Sequence, residues 1–453
     1  MGGKKMGRNK TIRARGMAGG LLMAAALLTL GACSDLLSVE LPGRVSAADL
    51  NNPDFAETLM LSAQGDFECA LGNHIAAMGI WTTDFNVSAT TRTRNIFSLR
   101  DQAVYTVSSL GSSSGQPTCR EMNPHPIAMA LHIARVQASG GIGYVTGFDV
   151  ADVPDKEFLL GKMYAYRGYS VELLSETMCA ITLDRGDELT RSEGFAIARA
   201  DFSSALGHLA SVSSGSNATE ARSIEKMAKI GYARASLQLG ESSEVLKYAD
   251  DIELGFVYSA DRTSTSAQTR NHIWELTDGD GLSVNEDLRD ITVPLVGGVP
   301  DPRMPNEDAN ENGSDQVTPQ WDQLKYNSWS DDIPFATGRE MQLMVAEVAL
   351  STTPQTAVNI INTLRTDPAG IYSSIDTSAW PLPAFASSDA AEIRAELIAE
   401  RHAELFLQGT RQGDMLRFGL PYKTGQTPKG EFYGNFTCIP LEDRETLNNE
   451  HFF

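Results

Sequence analysis

Four short stretches of this 453-residue chain place chemically able residues at spacings that chemistry uses. Glu400 and Glu404 stand one helical turn apart in "SDAAEIRAELIAERHAELFLQ" (388–408), as a glycosidase acid and base could. Their surroundings argue otherwise. At 100° per residue, Ile393, Leu397, Ile398 and Leu405 form the apolar stripe of a helix, Arg401 lies near its middle and Glu404 beside it. A buried charge must be paired, so Arg401, Glu404, Arg411 and Asp414 read as structural ion pairs. Gly111-Ser112-Ser113-Ser114-Gly115 matches the spacing of a nucleophile elbow, but Gln116-Pro117 stands where the helix must start, which favours a flexible loop. Asp308, Asn310, Asn312 and Gly313 fit the first half of a calcium loop, with Asp315 nearby. Position twelve is Pro319 instead of glutamate, so a solvated acidic turn is the better reading. Gly140-Gly141-Ile142-Gly143 follows no convincing strand and makes no phosphate-binding loop. With no CxxC, and no second histidine at helical spacing from any of the seven, no metal or cofactor site is expected.

The elements that would position such residues are mostly helices. Asn51-Asn52-Pro53-Asp54 is a helix start, and Phe55, Leu59, Ala63, Phe67 and Ala70 give that helix its apolar face. Residues 86–126 lack periodicity and read as loops. Helical patterns return at 126–138, 156–179, 192–211, 218–239 and 242–251, then at 338–350, 355–365 and 388–408. Leu160, Met163, Tyr164 and Val171 recur 64 residues later as Ile224, Met227, Ala228 and Ala235. Gly168 and Gly231 fall on nearby turns, where a missing side chain lets helices approach. This is the pattern of stacked tetratricopeptide-like helix pairs. Between 252 and 337 Gly, Asp, Asn, Pro and Thr rise and three of the five tryptophans occur, which marks a long loop-rich insertion.

The amino terminus is built differently. Lys4, Lys5, Arg8, Lys10, Arg13 and Arg15 precede an uncharged run of 14 residues, Met17 to Leu30. That run is shorter than the roughly 20 residues a spanning helix needs, and it ends in Leu30-Gly31-Ala32-Cys33. The reading is a lipoprotein signal peptide over 1–32, a lipidated Cys33, an extended tether over 33–50 and a helical domain over 51–453. Ser34, in place of an aspartate after the cysteine, fits export onward to the outer membrane. Without residues 1–32, 31 Lys and Arg face 58 Asp and Glu, a formal charge of −27. Such a surface repels nucleic acid and anionic lipid, so the membrane is reached through the acyl chains alone. Cys69, Cys119, Cys179 and Cys438 remain for a structural disulfide, whose pairing stays open.

"ERHAELFLQGTRQGDMLRFG" (400–419) resembles the C-terminal signature of the SusD/RagB nutrient-binding outer-membrane lipoproteins. "GREMQLMVAEVAL", "YRGYSVELLSETMCAI", "FTCIPLEDRETLNN" and the first long helix are similar to that family too, in the same order. The resemblance implies a SusD-like, mostly α scaffold of tetratricopeptide-like pairs carrying long irregular ligand-binding loops. It implies no enzymatic activity and a TonB-dependent transporter of the SusC type as partner, which the protein caps as a lid. The nutrient would be an oligomer, foremost a glycan. The comparable loops here hold Trp81, Asp84, Asn86, Arg94 and Tyr105, then Trp274, Trp321, Tyr326 and Trp329. Aromatic faces stack on sugar rings while amides, carboxylates and guanidinium groups hold the hydroxyls. The competing readings are a surface lipoprotein hydrolase acting on glycans or peptides, and a tetratricopeptide scaffold for protein assembly.

Overall fold

The computed structural model describes residues 49–101, 124–293, 300–441 and 449–452. Residues 1–32, expected to be a signal peptide, and Cys33, Tyr105, the Gly111–Gly115 stretch and Cys119 lie outside them. The chain divides into two compact units, Met1–Asn51 and Asn52–Phe453. The described part of the first contains one 3-10 turn, Asp49–Asn51. The remaining elements belong to the second.

The Asn52 side chain accepts the Asp54 amide at 3.1 Å and opens a 3-10 turn, Pro53–Phe55. That turn feeds α1, Ala56–Trp81. Every residue of α1 from Cys69 onward is buried, which makes its second half a central helix enclosed on all sides. Then come β1 (Phe85–Val87), α2 (Arg92–Leu99), α3 (Pro124–Gly147) and α4 (Lys156–Thr177). They are followed by β2 (Ile181–Thr182), β3 (Glu188–Leu189), α5 (Arg191–Leu209), α6 (Ala218–Gln238) and the short α7 (Ser242–Leu246). The helix α1 packs on α3, and α3 to α6 pack each on the next. A reciprocal capping box between Thr190 and Glu193 fixes the start of α5.

The two glycines singled out in the sequence work as expected. A Cβ at Gly168 in α4 or at Gly231 in α6 would collide with the ring of Phe202 in α5. One aromatic ring therefore fills the space left open by both flanking helices. This explains why the glycines sit at matching places in the two repeats.

The insertion is less irregular than its composition suggested. It holds β4 (Val257–Ala260), α8 (His272–Asp278), β5 (Leu282–Val284), β6 (Asn306–Asn312), β7 (Pro319–Gln323) and β8 (Ile333–Thr337). Each strand joins a two-stranded antiparallel sheet, and β5 pairs with β1 from outside the insertion. Period-two alternation is weak here because the strands are short and several are buried on both faces. The candidate calcium loop is a correction of the same kind. Asp308, Asn310 and Asn312 lie on β6, paired with β7, and Asp315 holds the Val317 and Thr318 amides and Lys429. Among the described residues no group of acidic, His or Cys side chains could hold a metal ion. Gly140, Gly141 and Gly143 lie inside α3.

After β8 follow α9 (Gly338–Ala349), α10 (Pro354–Thr366), α11 (Ala390–Glu404) and α12 (Arg411–Phe418). Leu343, Ile361, Leu364, Ile393 and Leu397 form a second, smaller core between α9, α10 and α11. Cys179 and Cys438 form a disulfide, tying the end of α4 to the C-terminal segment where Met178 bridges Ile439. Cys69 is also disulfide-bonded. No helix among the described residues is long and apolar enough to cross a membrane.

Candidate functional site

The surface best suited to a ligand lies on the insertion. Asn271 organises it: its side-chain oxygen accepts the Trp274 amide at 3.1 Å, and its side-chain nitrogen donates to the Asp331 carbonyl at 2.8 Å. Its own backbone amide donates to the Trp329 carbonyl at 2.8 Å. One asparagine thus caps α8 and fastens the 328–331 turn against it. Ser328 donates to Asp331 at 2.7 Å within that turn. The two tryptophans so placed meet edge to face, with ring centres 5.4 Å apart. The Arg270 guanidinium lies 4.3 Å from the centre of the Trp329 ring. Trp329 is 39% exposed, whereas Trp274 is half-buried beneath it.

Just ahead of Arg270, the hydroxyls of Thr263, Thr265, Ser266 and Thr269 are linked at 2.7–3.1 Å in a largely exposed loop. The Nε of Arg270 meets no acceptor. An indole face, the guanidinium stacked on it and a fringe of hydroxyls can recognise a polyhydroxylated ring without any bond being made or broken.

The other sequence candidates divide by burial. Arg94 is half-buried near Gly281, where desolvation lowers its pKa and the charge of Glu275 on α8 opposes that shift. Trp321 is half-buried on β7, with the Arg289 guanidinium 5.2 Å from its ring centre. Trp81 is fully buried and tilts on Phe97 at 5.1 Å. Asp84 is bonded to His402 at 3.0 Å, and Asn86 donates to Glu286 and accepts from Asn285, each at 2.8 Å. Tyr326 is buried and donates to the Leu407 carbonyl at 2.9 Å. The structure therefore brings Trp274 and Trp329 together and leaves Trp81, Asp84, Asn86 and Tyr326 inside the protein. Arg270 was missed by the sequence reading. Its position two residues before a histidine-tryptophan helix start carried no signal by itself.

The carboxylates of α11 occupy a different environment. Arg303 donates to Glu400 at 2.6 Å and to Glu404 at 2.8 Å, and Asp301 braces it at 2.7 Å. Arg339 reaches Glu404 at 2.5 and 2.6 Å. Arg365 bonds Glu400 at 2.8 Å and also Glu396. All seven side chains are buried. The guanidinium groups of Arg339 and Arg303 hold Glu404 down at about 2, against the desolvation that opposes it. Burial pushes Glu396 up to about 7. Glu400 and Glu404 are thus locked into a structural tie between the insertion and helices α9 to α11, not presented to a cleft. Arg401 pairs with Asp414 at 2.8 Å, and Arg417 with the same Asp414 at 2.7 Å. The expected grouping is corrected in two respects: Glu404 turns to Arg303 and Arg339, and Arg411 makes no ion pair among the described residues.

No family model and no curated protein matches the sequence. Solved structures do match. A SusD-like carbohydrate binding protein from Bacteroides vulgatus superimposes with a TM-score of 0.61 at 14% identity, over 89% of this chain and 97% of that one. A SusD-like protein from Bacteroides fragilis gives 0.63 at 12% identity, over 90% and 97%. Surface glycan-binding protein A from Bacteroides fluxus gives 0.52 at 13%, over 86% and 94%. At such identities the likeness is one of fold, and the chain has the SusD-like fold.

Proposed function

We propose that this chain, given its SusD-like fold, belongs to the SusD/RagB family and is a surface-exposed outer-membrane lipoprotein that binds a glycan. In this reading it passes the glycan, as a lid, to a TonB-dependent transporter of the SusC type. The observation that carries the binding half is the Trp274–Trp329–Arg270 platform. Its exposed indole offers an apolar face to a sugar ring. Arg270 and the Thr263–Thr269 hydroxyls supply donors and acceptors for the ring's own hydroxyls. Recognition and release are the whole chemistry, and the transporter supplies the energy of uptake.

The solved structures of this fold that are named for carbohydrate or surface glycan binding support the ligand class. The lipobox at Leu30–Cys33 and the charge of the body support attachment through Cys33 alone. Two experiments test the reading. Purified protein from Ser34 onward is titrated against a panel of glycans and peptides. Binding of at least one glycan, weakened by Trp329→Ala, is expected; binding of peptides alone would overturn the ligand class. Cys33→Ala is expected to release the folded protein from membranes, and its retention after high-salt washing would overturn the anchor.

A further inference from the structure

The guanidinium of Arg270 is placed by stacking alone. It lies 4.3 Å from the centre of the Trp329 ring and makes no hydrogen bond or ion pair with any described residue. Its Nε is enclosed, whereas Nη1 and Nη2 remain open to solvent. Stacking uses the face of the guanidinium plane. The Nη1–Nη2 edge lies in that plane and stays free to donate two parallel hydrogen bonds.

The protein's own carboxylates near the platform are turned to other partners. Asp331 accepts the Asn327 amide at 2.5 Å and the Ser328 hydroxyl at 2.7 Å. Asp332 accepts the Arg262 amide at 2.7 Å. Glu275 meets His272 at 3.2 Å, and its charge acts on Arg94. Beyond residue 32 the chain carries 58 Asp and Glu against 31 Lys and Arg. Even with carboxylates in such excess, none takes the open edge of Arg270 among the described residues.

A sugar hydroxyl meets that edge as a single neutral acceptor. A carboxylate matches both donors at once, and charge-assisted bonds are roughly twice as strong as neutral ones. We propose that the glycan taken by this platform is acidic: a carboxylate on one sugar docks on the Nη1–Nη2 edge of Arg270, and a neighbouring sugar covers the exposed part of Trp329. This rests on the glycan-binding reading and names the class of glycan. The acidic body sets the opposite limit. Its formal charge of −27 repels a ligand with a carboxylate on every sugar, whereas one carboxylate at contact outweighs repulsion that salt screens beyond about 8 Å. The ligand class is therefore a glycan with an isolated carboxylate among neutral sugars.

The protein from Ser34 onward is titrated with two matched sets of oligosaccharides. One set carries a single uronic acid per molecule, and the other holds the same compounds with that carboxyl reduced to an alcohol. At least one acidic compound is expected to bind about tenfold tighter than its reduced form. Arg270→Gln breaks no ion pair, so it should fold. It is expected to erase that gap while holding affinity for the reduced form within about twofold, a split that a purely structural role would not produce. Arg270→Lys, a point charge without the fork, should restore the gap only in part. Trigalacturonate, acidic on every sugar, should bind more weakly than the singly acidic compounds, and tighter binding would overturn the isolated-carboxylate limit. Reduced compounds that bind as well as acidic ones would overturn the acidic class and leave glycan binding standing, as would a gap that survives Arg270→Gln. If neither set binds, this inference falls. A neutral glycan that still binds then confines the failure to it, and the absence of any bound glycan removes the glycan reading as well.

Discussion

Two arginine-rich regions of this protein use the same chemical groups to opposite ends. Around α11, three guanidinium groups and four carboxylates are packed out of water, and each guanidinium is matched to carboxylates at hydrogen-bonding distance. On the insertion, Arg270 lies over an indole that is 39% exposed, beside a loop of exposed hydroxyls. A buried array presents nothing to a ligand, and its value is the tie it makes between segments far apart in sequence. An open aromatic face fringed by exposed hydroxyls is a surface that a ligand can reach. The density of charged residues does not mark the site here; exposure to solvent does.

The comparison is broken most severely by removing one member of the buried array. Glu404→Ala leaves Arg303 and Arg339 without a shared carboxylate and is expected to cost about 3–5 kcal/mol. Denaturant unfolding measures it, and glycan affinity of the fraction still folded should not change. A loss below about 1 kcal/mol would mean that the array relaxes without it and is not the tie described here. Trp81→Ala should cost about 3–5 kcal/mol for the same kind of reason, since it opens a cavity against Phe97. If Trp81→Ala instead abolished glycan binding with stability unchanged, the division between interior and platform would be wrong.

How much of this was legible in the chain follows from the physics of each region. Long amphipathic helices write their period into the sequence, so the helices from 156 to 239 and from 338 to 404 were readable nearly to their ends. The Gly168–Phe202–Gly231 packing was half readable, because glycines at matching turns signal close approach but do not name the filler. Arg401 and Glu404 betrayed their burial by lying in an apolar stripe. Their true partners could not be read, because Arg303 and Arg339 arrive from other elements about 100 and 65 residues away. The insertion hid its strands, since four of them have three to five residues, too short for a period, and the seven-residue β6 is exposed without alternation. Among the aromatic candidates, composition named the tryptophans but not which were exposed, and only the fold separates Trp329 from Trp81.

Acid and neutral pH should pull on the interior in opposite directions. Glu404 and Asp414 are each held at about 2 in the fold by neighbouring guanidinium groups. Their contribution is present above the unfolded carboxylate range near 4 and is lost as pH falls through about 2. Burial raises Glu68, Glu176 and Glu396 to about 7. The folded state then holds more protons than the unfolded one between about 4.5 and 7, so stability declines as pH rises through that window. Urea midpoints across pH 3 to 8 should therefore peak near pH 4.5 to 5. A midpoint that climbs steadily to pH 7 would show that the depressed carboxylates dominate and that the raised ones are ionised in the fold without penalty.

The finest distinction lies between two tryptophans on the insertion itself. Trp329 is exposed, lies under a guanidinium and is braced by Trp274, whereas Trp321 is half-buried on β7 with Arg289 over its ring. If the platform is the site, Trp329→Ala removes the stacking face and should weaken glycan binding about tenfold, or about 1.4 kcal/mol. Its effect on stability should stay within about 0.5 kcal/mol, as for other surface changes. Trp321→Ala should do the reverse, lowering stability by about 1 kcal/mol while moving affinity less than twofold. Paired titration calorimetry and denaturant unfolding on both variants separate the two expectations. Equal losses of affinity would extend the site along the β6–β7 hairpin. A loss for Trp321→Ala alone would move it there, because an indole matters to a sugar only where one of its faces is left uncovered.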